Sequence, residues 1–228
     1  MYNVLNDNKI TQSVSKDKVV IPFHWKPIME LDIQFFAENK VEFGLSNVHY
    51  APYTMTDGEP VFETPIPIPG AVTLTGDPLG ESTSFYADNM IYYVTKSNQG
   101  YDATLSIATI PQQFAIDALG EEFDEVDGVI NEVADSQGKP FALLFQFEGD
   151  VKATRHVLYN CTANRPSING NTKTDSTEIT PNELTLTASP IEIGGKLMVK
   201  TKTTSTTTAD IYNNWFKTVY KKTVVAGA

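Results

Sequence analysis

Three histidines, one cysteine and a scatter of carboxylates are the residues of this 228-residue chain that could do chemistry. His24, His49 and His156 lie far apart, and none sits in an HExxH-type spacing that would place two zinc ligands on one helical face. Each reads as a packed or surface histidine. Cys161 stands alone, so it closes no intrachain disulfide, and no flanking glycine or cationic helix start lowers its pKa; it reads as a buried structural thiol. There is no GxSxG elbow, and GGK at 194–196 lacks the upstream glycine of a phosphate-binding loop, which leaves it a hairpin turn. The run EEFDEVDG (121–128) is rich in oxygen donors, but Asp124, Asp127 and Gly128 do not fall at the alternating positions of a calcium-binding loop. It reads as a solvated loop after a helix. Glu59, Glu63, Glu148 and Asp150 are the carboxylates a glycosidase would pair at ~5–10 Å, a separation that spacing along the chain does not define. These residues predict no catalytic, cofactor-binding or metal site, and the chain is expected not to be an enzyme.

The elements that would carry these residues are mostly strands. VEFGLSNV, PVFETPIPI and AVTLTG alternate apolar with small or polar residues, and Gly, Pro, Asn and Asp punctuate them. SFYADNMIYYVTK reads as two short aromatic strands around a tight Asp88–Asn89 turn. DATLSIATI (102–110) places Ala103, Leu105, Ile107 and Thr109 on one face. KPFALLFQFEGD, VKATRHVLYNCTA, NELTLTASPIEI and GKLMVKTKT follow as further strands. FALLFQF is almost continuously apolar, as in a strand covered on both faces or on one face and in a subunit contact. One helix interrupts them: PQQFAIDALGEEF opens on Pro111, spaces Phe114, Ala115, Ala118 and Leu119 on one side and meets a stop at Gly120. ADIYNNWFKTVYK (209–221) fits a helix capped by Asp210 or a strand equally well. The Thr-rich stretch 172–187 reads as strand plus exposed loop.

Charge and composition bound the function. The chain carries 28 Asp plus Glu against 17 Lys plus Arg, a net charge of −11, and only Arg155 and Arg165 supply guanidinium. A surface gripping nucleic acid needs clustered cations, so DNA meeting this protein is expected to pass without sticking. No apolar run approaches the ~20 residues of a membrane-spanning helix, and MYNVLNDNKITQSV has neither a basic start nor the apolar stretch of a signal peptide. Synthesis and folding in the cytoplasm are expected, without membrane contact. Residues 1–28 differ from the rest: they hold four Lys against two Asp, whereas the remainder holds 13 Lys plus Arg against 26 acidic residues. The break predicts an N-terminal extension at 1–28, either non-native or flexible, and a domain at 29–228 beginning with MELDIQFFAENK. VVIPFHW (19–25) would alternatively pack as an edge strand.

Two segments carry a resemblance: VEFGLSNVHYAPYT (41–54) and GYDATLSIATIPQQFAIDALG (100–120) are similar to the major tail proteins of long non-contractile-tailed phages (siphoviruses) of Gram-positive bacteria. The likeness runs from about residue 29 to residue 220. It implies a mainly β fold, a tail-tube-like β-sandwich or barrel with one flanking helix and a long inter-strand loop. It further implies a structural virion protein whose rings, hexameric in that family, stack into a hollow tail tube through which DNA passes. The partners implied are further copies of the chain, a tape-measure protein, tail chaperones and a tail terminator. The location implied is the phage tail, assembled in the host cytoplasm. In YAPYTMTDGEP (50–60), where the family has its extended loop, Tyr50, Tyr53 and Met55 are expected to contact an adjacent subunit or ring, because aromatics and Met are enriched in interface cores. Glu42, Glu63 and Glu148 are the acidic residues expected to face the channel. A head–tail connector or terminator remains open as an alternative. So does a carbohydrate-binding β-sandwich using Trp25, Tyr92, Tyr93 and Trp215 as a sugar platform.

Overall fold

The computed structural model describes residues 19–20, 30–31, 38–168, 170, 172 and 180–222. Its contacts separate two units, Met1–Ala37 and Glu38–Ala228. In the first, β1 (Val19–Val20) pairs antiparallel with β2 (Glu30–Leu31), a ladder that straddles the compositional break after residue 28. His24 and Trp25 lie outside the described residues.

The second unit is mainly β. Its first strands are β3 (Glu42–Thr56), β4 (Glu59–Phe62), β5 (Ile66–Pro67), β6 (Ala71–Leu79), β7 (Ser82–Ala87), β8 (Met90–Lys96) and β9 (Gly100–Ile107). A helical turn α1 (Gln112–Phe114) runs into a π-helical segment (Ala115–Leu119). Then come β10 (Glu122–Asp124), β11 (Val129–Asn131), β12 (Phe141–Gly149), β13 (Thr154–Ala163), β14 (Asn182–Ala188), β15 (Ile191–Ile193), β16 (Lys196–Met198), β17 (Lys200–Lys202) and the helix α2 (Ala209–Asn214). Nine strands form one antiparallel sheet in the order β4-β3-β12-β13-β14-β9-β6, with β5 beside β3 and β17 beside β13. The turn chemistry accounts for the hairpins. Asp57 and Gly58 (φ 52° and 82°), Asp88 and Asn89 (51° and 61°) and Gly194 and Gly195 (58° and 73°) have positive φ at both central positions, as the two-residue turn matched to strand twist requires.

Strand β12 lies inside the sheet, between β3 and β13, and is covered on both sides, the first of the two readings of FALLFQF. Phe141, Leu143 and Phe145 point into one core with Tyr50, Leu105, Leu158 and Leu184, while Ala142 and Leu144 point into a second with Val157, Tyr159 and Trp215. A bulge in β13 keeps this partition: Phe141 pairs with Cys161 but Leu143 with Leu158, so Leu158 and Cys161 reach the same core despite their odd spacing. On the first face lies the α1–π segment, with Phe114, Ala115, Ala118 and Leu119 buried as the spacing predicts. Its end is the left-handed Gly120, whose N–H returns to the Ala115 carbonyl.

Over the second face lies the C-terminal segment. Residues 209–214 form a helix rather than a strand, and Trp215 and Val219 beyond it are buried. Arg155 holds this helix down. Its guanidinium lies 3.8 Å from the Tyr212 ring centre and 5.0 Å from that of Phe216, donates to Gln146 Oε1 at 3.0 Å, and also bonds the Tyr212 carbonyl. Trp215 Nε1 donates to the His156 carbonyl at 3.3 Å.

Candidate assembly surface

Residues 50–60 form no extended loop. Tyr50 to Thr56 complete β3, the chain turns at Asp57–Gly58, and β4 returns, with Tyr53 opposite Phe62 and Met55 opposite Pro60. Strand alternation and the surrounding core then decide the tyrosines. Tyr50 is 0% exposed, edge-on to Phe114 at 4.9 Å and to Phe141 at 6.2 Å, and its hydroxyl donates to Asp117 Oδ2 at 2.9 Å. Burial, then the Asp117 bond, push this phenol well above its ordinary pKa. Tyr53 is buried in the other core and donates to Asn160 Oδ1 at 2.8 Å. This corrects the expectation that Tyr50 and Tyr53 form a contact surface: their rings are core, and only Met55, 55% exposed, is free to meet another molecule.

The carboxylates do not converge. Glu42 pairs with Gly149 and Glu148 with Phe43, so the two acids occupy adjacent rungs and project to opposite faces. Glu63 follows β4, far along the sheet from both, where its charge is felt by Tyr50. Glu59 accepts the Gly194 N–H at 3.0 Å and Asp150 the Lys40 N–H at 2.9 Å, so both brace backbone. EEFDEVDG folds into the β10–β11 hairpin instead of a plain loop, and the Asp124 carboxylate accepts from the Val126 and Asp127 amides at 2.8 and 3.2 Å. Among the described residues no group of three His, Cys, Asp or Glu is placed to hold a metal ion, and no helix is long and apolar enough to cross a membrane. Cys161 is fully buried, and burial pushes its thiol up to about 12. His49 stacks on Phe216 at 4.8 Å. Trp215 is buried, which removes it from any sugar platform. Both guanidiniums are engaged within the chain, Arg165 by Glu132 at 2.9 Å and by the Val133 carbonyl at 3.0 Å.

What the surface presents instead is the aromatic hairpin. Strands β6 and β9 pair from Ala71–Ile107 to Leu79–Gly100, the ladder continues through Gln99 N–H to Leu79 O (2.9 Å) and Ser97 N–H to Glu81 O (3.0 Å), and β7 then pairs with β8 from Ser82–Lys96 to Ala87–Met90. The whole is one long ribbon. At its waist Gly80 (φ 152°) and Gly100 (φ 120°) hold conformations that side chains rarely adopt; a Cβ at either would strike backbone, the Ser97 or the Ala188 carbonyl. Beyond the waist, among the described residues, β7 and β8 pair only with each other, and seven residues of β8 at ~3.4 Å each extend the ribbon by ~24 Å. Phe85, Tyr86, Met90, Ile91, Tyr92, Tyr93 and Val94 are 43% to 71% exposed. Phe85 pairs with Tyr93 and Tyr86 with Ile91; successive residues alternate, so both faces of the hairpin carry an apolar pair.

A second feature lies at the root of this ribbon. Strand β14 ends at Ala188, which pairs with both Tyr101 and Cys161, and past that point β13 is joined by β17. A groove of about 230 Å³ opens there between the β6–β9 ribbon and the β12–β13 pair. Its floor is Phe145, His156 and Leu158, and its mouth includes Leu74, Gly76, Tyr101, Phe147 and Lys200. His156 stacks flat on Phe145 at 5.1 Å, its Nε2 has no hydrogen-bond partner among the described residues, and burial lowers its pKa to about 4, with Glu42 opposing the shift and Lys200 and Lys202 adding to it. The Lys200 ammonium lies 4.6 Å from the Tyr101 ring centre.

No protein-family model matches the chain, and no curated protein matches it. Among solved structures it is similar to the anti-feeding prophage cap, a tube-terminating cap, at 14% identity over 75% of this chain and 99% of that chain, with a TM-score of 0.42. Neither fold nor function is taken from that likeness.

Proposed function

We propose that this chain is a structural subunit of a phage-tail-like tube, a major tail protein that assembles into stacked rings around a channel for DNA and performs no catalytic step. The observation that carries the reading is the β7–β8 hairpin. Four aromatic rings, each 61–71% exposed, would bury ~500 Å² per copy if covered, at ~200 Å² for a whole aromatic side chain. That is more than half of the ~800 Å² per partner of a stable protein interface, shared between the two faces of the hairpin, and exposed apolar surface on this scale is often functional. The sheet order also ends at β6, which carries no further paired strand among the described residues, an edge that another copy would cover. The net charge of −11 and the engagement of both arginines suit a wall past which a polyanion slides, since each neutralised phosphate would add to binding. The resemblance of 41–54 and 100–120 to siphovirus major tail proteins supports the same reading. Under it, the partners are further copies, a tape-measure protein, chaperones and a terminator, and the location is the virion tail.

The test is sedimentation velocity with negative-stain electron microscopy on the full chain over a concentration series. Rings or hollow tubes are the expected result. A chain that stays monomeric at the highest concentration overturns the proposal.

A further inference from the structure

Given a tube subunit, the groove at the root of the ribbon raises the question of what fills it. Its walls are apolar and aromatic, and its opening has a specific cause in the sequence. Gly76 shares a sheet face with Leu74 and pairs with Ala103, so its missing side chain is what keeps the groove open. A Cβ at Gly76 would only touch the Ala103 Cβ at 3.9 Å, an ordinary contact, and Gly76 is not among the positive-φ glycines. Glycine is therefore not demanded there by the backbone.

We infer that the groove receives the β7–β8 hairpin of a second copy, with the Phe85–Tyr93 pair as the inserted side chains; this rests on the tube-subunit reading. Three observations argue for a copy of this chain. The hairpin and the groove are the complementary apolar features of one molecule, one projecting and one recessed. The hairpin tip carries Asp88, whose nearest cation along the hairpin is Lys96, whereas Lys200 lines the groove and Lys202 pairs with His156 of its floor. The chain cannot satisfy itself, because the continuous ladder carries the hairpin away from a groove that begins at Tyr101, one rung from the waist.

Hairpin and groove are different surfaces, so a contact that the same two copies do not reciprocate is heterologous and closes into a ring when its rotation closes.

The experiment mixes two full-length variants. Gly76→Phe fills the groove and keeps the hairpin, whereas Phe85→Ser with Tyr93→Ser blunts the hairpin and keeps the groove. Each alone is expected to sediment as a monomer at concentrations where the unmodified chain assembles. Their equimolar mixture is expected to form a heterodimer, since one working hairpin and one open groove remain between them. If Gly76→Phe alone assembles like the unmodified chain, or if the mixture yields nothing larger than its parts, the groove assignment is overturned while the tube reading stands. An unmodified chain that never assembles overturns both. Should Gly76→Phe fail to fold, cross-linking replaces it, with Tyr93→Cys on one copy and Lys200→Cys on another joined by a bis-maleimide. A dimer band is then the expected result, and its absence overturns the assignment.

Discussion

Removing the Tyr50 hydroxyl, and separately its ring, distinguishes a core residue from an interface residue. In Tyr50→Phe the ring keeps its edge-on contacts with Phe114 and Phe141, while Asp117 loses the 2.9 Å bond and retains only Gln113 Nε2, 3.1 Å from each oxygen. A hydrogen bond to a charged group contributes ~1.5–3 kcal/mol, and the partial exposure of Asp117 puts the cost at the lower end, ~1.5 kcal/mol. For a chain of this size each kcal/mol moves Tm by ~2–4 °C, so the expected drop is ~3–6 °C. Tyr50→Ala empties a fully buried aromatic site and costs ~3–5 kcal/mol from packing alone, a large share of the ~5–15 kcal/mol that holds a domain together. Urea and thermal unfolding of dilute, monomeric protein read both values, with Met55→Ala as the exposed control, expected within ~0.5 kcal/mol of the parent. A Tyr50→Ala protein as stable as the control would refute the placement of the ring. A Tyr50→Phe protein melting with the parent would refute a net contribution from the Asp117 bond.

Other outcomes follow from the same geometry. His156 has a folded pKa near 4, below the ordinary 6.5, so the unfolded chain binds more protons between those values; its contribution is present above about 6.5 and is lost as pH falls towards 4. His156→Phe, which keeps a ring against Phe145, is therefore expected to flatten the fall of Tm between pH 6.5 and 4 relative to the parent, and parallel melting curves would count against it. Cys161, raised to about 12 by complete burial, is expected to resist a thiol reagent at pH 8 in the folded chain and to react fully in guanidinium; rapid labelling under native conditions would show the site to be open. Asn39 bonds the Lys152 carbonyl (2.6 Å), the Thr154 hydroxyl (3.1 Å) and the Val151 and Lys152 amides (3.2 and 3.0 Å), clasping the β12–β13 turn. Asn39→Ala is expected to cost ~1–3 kcal/mol in urea unfolding, with faster amide exchange at residues 151–154 as its local signature.

Features that depend on neighbours along the chain are legible in the residues. Strand alternation, the Asp88–Asn89 and Gly194–Gly195 turns, and the Phe114, Ala115, Ala118 and Leu119 stripe ending at Gly120 all follow from backbone preference and periodicity, which act over a few residues. The long apolar run of β12 already implied two covered faces or a subunit contact, but choosing between them needed the C-terminal segment, some 70 residues away, to be found on the second face. The stretch 209–221 is ambiguous in sequence because its aromatic and β-branched content suits either state; Arg155 and the β12–β13 surface settle residues 209–214 as helix. The tyrosines show the same limit most sharply. Tyr50 and Tyr53 look like Tyr92 and Tyr93 in any local window, yet the first pair is core and the second is exposed, because β3 lies beside β12 whereas β7–β8 pairs with no other strand among the described residues. The groove, too, is assembled from β6, β9, β12, β13 and β17, and its one legible trace is the glycine at position 76 in a strand otherwise suited to side chains. Periodicity says that a residue points to one side of a strand, and long-range pairing says whether anything is there to meet it.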